Sequence, residues 1–392
     1  MKKRLFVCSN FLTLLFSLYA IEKNEEQGEN HLMLLAHFCK PRYFNDMTDF
    51  ANKFNVFSSV SILDNYLNKQ TQIVDVERYA KDVNVDVFDE VYGTCYYEQA
   101  IQFMEYYKNA DLYFLSNGLA SYFPQKDCPE FYKRFNGFYF IKYFDKMVPY
   151  LVTDEGIKGI EVEKEYFKNV FLKLAEGVDL KPSGQKSIVL CMQNMFFNNR
   201  DINPKQEFDL YKNVAEIFVK QGYVVYLKDH PRTPGVFNSY MKHPQIISLT
   251  DFDTYPVESI IYKLQPEYVV SLFSTSLFNV KDMFGINGIT FENPYHMFDL
   301  FLRGHIMTKS YFESIGANTN HLVKIDSLEN QVLYEVLMFA LNRNHFSKER
   351  YLHLQEMLKD LPLSTFACLK LKTAFLDMLK YKTYDDYLKW QN

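Results

Sequence analysis

Three short runs in this 392-residue chain carry side chains able to move protons and hold phosphate. Asp154-Glu155-Gly156 follows the apolar run Met147–Val152 and supplies two carboxylates, candidates for a general base. His230-Pro231 ends a strand-like stretch that starts at Tyr223 and supplies an imidazole, a candidate acid. Tyr268–Val270 runs into Ser271-Leu272-Phe273-Ser274-Thr275-Ser276, placing hydroxyls at what reads as a helix start. Unpaired N–H groups and the helix dipole favour an anion there. None of the three is specific alone. An acidic pair before Gly is a common turn, His-Pro a common loop dipeptide, and a hydroxyl at a helix start an ordinary N-cap.

The elements that must position these residues alternate short apolar runs with longer amphipathic stretches, the pattern of parallel sheets covered by helices. Leu5–Ser9, Leu32–His37, Val56–Ile62, Val85–Tyr92, Leu112–Ser116 and Val148–Val152 read as strands. Asp46–Asn55, Thr71–Asp82 and Tyr96–Asn109 read as helices between them. At Ala175–Ser187 the periodicity lapses into a polar stretch that reads as a linker. The pattern then resumes with strand Ser187–Met192, helix Glu207–Gln221, strand Tyr223–Lys228, helix Val257–Leu264, and strands Tyr268–Val270 and Gly288–Phe291. From Ser347 onward the chain is helical in pattern, broken at Pro362. In open parallel sheets ligands gather outside the carboxyl ends of the strands, and each motif is expected at such an end.

Taken in order, the three runs resemble the D/E-D/E-G, HP and Ser/Ser-Thr motifs of the bacterial sialyltransferases, above all the capsular polysialyltransferase-type glycosyltransferases, with the lipooligosaccharide sialyltransferases as relatives. Leu5-Phe6-Val7-Cys8-Ser9-Asn10 is similar to that family's first strand and Tyr226–Pro231 to its HP strand, so the likeness spans roughly residues 4–290. It implies an α/β, GT-B-like fold of two Rossmann-like domains facing a central cleft. Residues 1–178 would form the acceptor-side domain, and 179–392 the nucleotide-sugar domain with C-terminal helices. The implied reaction is inverting transfer of sialic acid from CMP-sialic acid to a glycan acceptor in capsule or lipooligosaccharide. It needs no cofactor and no metal.

On this likeness Glu155 is the general base, with Asp154 in reserve and Gly156 turning the backbone to aim it. His230, stiffened by Pro231, would give a hydrogen bond or proton to the leaving phosphate, with Arg232 adding charge. Ser274, Thr275 and Ser276 would hold that phosphate. Gln193 and Asn194 would meet the cytidine, Glu258 a ribose hydroxyl, and Ser116 and Asn117 would line the acceptor side. His243-Pro244 lacks a long preceding strand and reads as a decoy. Asp251-Phe252-Asp253 has the D-x-D spacing by which some glycosyltransferases hold a metal, a triplet that also arises by chance. Another donor, CMP-Kdo or a nucleotide-diphosphate hexose, would suit the same scaffold. A non-catalytic glycan- or nucleotide-binding subunit of capsule assembly would have little need for a base.

Composition narrows the classes further. A net charge of −5 provides no global field to attract nucleic acid. Lys2-Lys3-Arg4 and Lys370–Lys382 could touch an anionic membrane surface, which would make a cytoplasmic protein peripheral at the inner membrane, although the second stretch reads more readily as a solvated helix face. Six cysteines without a C-x-x-C pair argue against zinc and a disulfide framework, and for a reducing compartment. At the N-terminus, Leu5–Ala20 resembles a signal peptide in part, but Cys8-Ser9-Asn10 interrupts the apolar run. A strand, a turn and a helix Phe11–Lys23 capped by Asn10 is the preferred reading.

Overall fold

The computed structural model describes residues 1–24, 26–35, 41–94, 97–118, 121, 132–143, 149–153, 156–193, 204–231, 235, 241–272, 274–290, 323–324 and 352. Two sheets organise them. The first has the order β3-β2-β1-β4-β5-β6-β7 with every pairing parallel. Its strands are β1 (Lys2–Cys8), β2 (Gly28–Leu34), β3 (Ser59–Ile62), β4 (Glu90–Gly93), β5 (Asp111–Leu115), β6 (Phe135–Phe140) and β7 (Gly159–Glu161). The helices between them are α1 (Phe11–Lys23), α2 (Pro41–Phe54), α3 (Val76–Asp82), α4 (Glu98–Tyr106) and α5 (Tyr150–Thr153). Central strand β1 is buried from Arg4 to Cys8, as a parallel strand covered on both faces must be. Asn10 then starts α1 in a capping box: its Oδ1 accepts the Thr13 N–H at 2.9 Å, and its own N–H donates to Thr13 Oγ1 at 3.2 Å.

Helix α6 (Lys164–Ala175) follows the first sheet, and the stretch 176–186 has no helix or strand. The second sheet has the order β10-β9-β8-β11-β12-β13. It comprises β8 (Ser187–Cys191), β9 (Val224–Lys228), β10 (Ile246–Ser248), β11 (Tyr268–Ser271), β12 (Asn287–Thr290) and β13 (Val323–Lys324), the last antiparallel. Its helices are α7 (Pro204–Lys220), α8 (Val257–Leu264) and α9 (Ser276–Phe284). Strand alternation sorts its two faces. Ile188, Leu190, Val225 and Leu227 pack with Phe208, Tyr211, Val214 and Phe218 of α7. Val189, Cys191, Val224 and Tyr226 face the other way and join Ile260, Ile261, Leu277 and Val280 of α8 and α9. That second cluster is continuous with the core of the first sheet. Each sheet is therefore doubly wound, with its topological switch point between β1 and β4 and between β8 and β11.

Three expectations change. Val148–Val152 is not a strand: residues 150–153 form α5, because so short an apolar run fits a buried helical turn as well as a strand. The acidic triplet therefore leads into β7 instead of leaving a strand's carboxyl end, while β6, with three Phe, a Tyr, an Asn and a Gly, is a strand that periodicity overlooked. Lys2-Lys3-Arg4 is not an open basic surface, since Arg4 is buried against Glu90 and Lys2 pairs with Glu90 and Glu26. The C-terminal helical stretch and Lys370–Lys382 lie outside the described residues. Among the described residues no helix is long and apolar enough to cross a membrane.

Candidate active site

The adjacent strands β9, β8 and β11 end at one edge of the second sheet. Neighbouring strands lie about 4.8 Å apart, so the chain ends after β9 and β11 are separated by roughly 10 Å. Gln193 follows β8 at the switch point. Its N–H donates to Tyr211 Oη at 2.7 Å and its Nε2 to Ser271 Oγ at 3.4 Å, while Ser271 Oγ donates to Cys191 O at 2.9 Å. After β11 the chain turns into α9. Ser274 Oγ accepts the Ser276 N–H at 3.2 Å, and Thr275 O accepts the N–H groups of Phe278 and Asn279. Thr275 already has helical dihedrals and does not cap α9 through its side chain. Glu258, buried on α8, accepts the Asn279 Nδ2–H at 2.7 Å and so ties α8 to α9 behind the hydroxyl run.

His230, half-buried, and Pro231 follow β9 through Lys228 and Asp229, both buried. The loop is held by a residue read from sequence only as part of a metal-spacing motif. Asp253 is fully buried, and its carboxylate accepts the Asp229 N–H at 2.9 Å and the Gly235 N–H at 3.0 Å. Lys228 Nζ donates to the carbonyls of Asp253 at 2.8 Å and Asp229 at 3.4 Å. Burial pushes the Asp253 carboxyl up and the Lys228 ammonium down. Asp251 is exposed, so the two carboxylates of the D-x-D triplet do not share one environment. His243 sits in the turn that enters β10, where its Nδ1 accepts the Gln245 N–H, at the opposite edge of the sheet from His230.

From the first sheet, β5 delivers Ser116-Asn117-Gly118. Ser116 Oγ accepts the Gly118 N–H at 3.2 Å, and Asn117 N–H donates to Ser121 Oγ at 2.8 Å. Asn10, at the end of β1, donates its amide to Asn117 Oδ1, linking two strand ends. Gly118 has φ of +84°, and a β-carbon placed on it would stand 2.5 Å from Thr275 Oγ1. This loop of the first sheet thus touches the hydroxyl run of the second. Gly156 takes φ of +66°, in the left-handed region that favours glycine, and among the described residues nothing stands within 4 Å of a β-carbon placed on it. Asp154, Glu155, Asn194 and Arg232 lie outside the described residues.

No curated protein matches the chain. Among solved structures it is similar to Methanocaldococcus jannaschii UDP-GlcNAc 2-epimerase, at 14% identity and a TM-score of 0.50 over 74% of this chain and 84% of that one. It is also similar to the wall teichoic acid polymerase TagF, at 13% identity and a TM-score of 0.46 over 92% and 89%. Escherichia coli ADP-heptose heptosyltransferase II aligns at 11% identity and a TM-score of 0.38 over 72% and 82%. At such identities the likeness is one of fold, the GT-B arrangement of two parallel sheets. The family model for alpha-2,8-polysialyltransferase (POLYST) matches residues 4–292, a span holding every motif described above. This chain belongs to the alpha-2,8-polysialyltransferase family and is a glycosyltransferase of the GT-B fold.

Proposed function

We propose that the protein transfers sialic acid from CMP-sialic acid to a hydroxyl of a bacterial surface glycan, with inversion and without a metal. The observation that carries this reading is the approach of Gly118 to Thr275, which puts a loop from the first sheet against the hydroxyl run of the second. A glycan on the first sheet's side and a nucleotide at the switch point of the second would meet there. Glu155 removes the proton of the attacking hydroxyl as the donor's anomeric carbon develops oxocarbenium character. The C–O bond to phosphate then breaks, and charge gathers on the leaving CMP. His230 donates to that phosphate, while the hydroxyls of Ser274, Thr275 and Ser276 hold it at the positive end of the α9 dipole. Gln193 and Asn194 meet the base, Glu258 backs the ribose side, and Ser116 and Asn117 line the acceptor.

A monophosphate leaving group carries less charge than a diphosphate, so protein donors suffice where other transferases recruit a divalent ion. The test is turnover of CMP-sialic acid in excess EDTA by the parent protein and by Glu155→Gln. A general base contributes on the order of 10²- to 10⁴-fold, so Glu155→Gln is expected to lose turnover by that factor and still bind CMP. Turnover that collapses in EDTA and returns with magnesium, or Glu155→Gln at the parent rate, would overturn the assignment. Hydrolysis of a different nucleotide sugar in place of CMP-sialic acid would overturn the donor.

A further inference from the structure

The Asp253 carboxylate accepts one backbone N–H from each side of His230-Pro231, the Asp229 N–H on Oδ1 and the Gly235 N–H on Oδ2. One side chain therefore grips the chain where it leaves β9 and again at residue 235. The turn that carries Asp253 is itself held on two sides. Lys228 Nζ donates to the Asp253 carbonyl, and Arg42 of α2 donates to the carbonyls of Thr250 and Asp251. Thr254, the next residue, donates its hydroxyl to Asp46 of the same helix. Burying a carboxylate is a costly way to end a strand. An apolar residue at 253 would fill the space but accept neither N–H. What the carboxylate adds is a fixed place for the backbone of Asp229 and of Gly235, on either side of the imidazole, anchored through α2 to the first sheet.

We propose that Asp253 is a positioning residue for His230, setting where the imidazole meets the leaving phosphate. The inference rests on the role given to His230 above. A group misplaced by about 1 Å costs on the order of 10²-fold in rate, and Asn at 253 keeps the shape while exchanging one acceptor for a donor that opposes a backbone N–H. Asp253→Asn is therefore expected to unfold within about 3 °C of the parent, to leave the donor KM within about threefold, and to lose roughly 10- to 100-fold in kcat. In protein labelled at histidine Cε1, the His230 resonance, assigned by its loss in His230→Ala, is expected to shift or broaden while the other histidines stay in place.

Asp253→Asn with kcat within about threefold of the parent, or with a large loss and an unmoved His230 signal, would overturn the inference. Should the Asn variant not fold, Asp253→Ser keeps one acceptor and is read the same way. Failure of both to fold would assign the carboxylate to stability and overturn the proposal as well. The underlying reading fails separately, by His230→Ala turning over at the parent rate.

Discussion

Gly118 shows how a single residue without a side chain shapes this site. Its φ of +84° is unfavourable for any residue with a β-carbon, and the space a β-carbon would need is occupied by Thr275. Left-handed backbone alone costs about 1–2 kcal/mol. Gly118→Ala should therefore lower stability by about that amount in a urea titration, and should also push Thr275 away from its place at the start of α9. We expect turnover to fall on the order of tenfold, beyond what the stability loss explains, if Thr275 holds the leaving phosphate as proposed, since its displacement would then act on the rate directly. Parent-like turnover would show that the contact with Gly118 does not hold Thr275. The three motifs were legible in sequence because each is a local string of functional groups. Asp253 was visible only as one end of a D-x-D spacing. That Asp253 reaches back to Asp229 and Gly235 depends on the turn between β10 and α8, which no local pattern encodes.

At the scale of elements, the first sheet is stapled beneath its core by a charged cluster between β1 and β4. Glu90 accepts from Arg4 Nε, Lys2 Nζ and Tyr92 Oη, each at 2.8 Å, and both Arg4 and Glu90 are buried. Burial pushes the Glu90 carboxyl up, but the hydrogen bonds from Lys2, Tyr92 and Arg4 outweigh it and leave the group below its ordinary value. A carboxyl lowered in the folded state adds stability above its unfolded pKa of 4.5, and that stability is lost as the pH falls through the folded value. Removing one partner of a buried pair leaves an uncompensated charge, at about 3–5 kcal/mol. Glu90→Ala is thus expected to lose that much by urea unfolding at pH 7, whereas the double change Arg4→Met with Glu90→Leu should lose far less. Equal losses would mean the pair stabilises as an ion pair in its own right. The N-terminal arginine is clear in the sequence, yet its partner lies on β4, so the sequence alone reads it as surface charge.

Across the whole molecule, the two sheets share one apolar cluster, and helices at their junction carry the polar contacts. Ser259 of α8 donates to Phe171 O of α6 at 3.1 Å, and Asp46 of α2 accepts from Thr254. Cys8 and Cys191 end the first strand of each sheet and are both buried, and burial pushes each thiol up to about 12. A thiol whose folded pKa exceeds the unfolded value of 9.0 contributes its full stability below pH 9 and loses it as the pH rises toward 12. Stability should therefore decline across that interval by about 1.4 kcal/mol per pH unit for each thiol in the folded protein. Buried Tyr79 and Tyr211, both also raised by burial, add to the fall from pH 10 upward. Guanidinium titrations at pH 8, 9.5 and 11 would measure it. A flat profile would mean that these thiols reach solvent without unfolding.

The order of the motifs, the strand-turn-helix at the N-terminus with Asn10 as its cap, and the doubly wound class were all determined by the sequence itself. Capping, hydrophobic period and turn chemistry act between residues within about one turn or one strand of each other. Only the tertiary structure decided that residues 150–153 coil into α5, that Arg4 finds Glu90, that Gly118 meets Thr275, and that the Asp253 carboxylate accepts the N–H groups of Asp229 and Gly235. Each of those outcomes is a pairing set by packing between segments distant in the chain, where neither period nor spacing carries the partner's address.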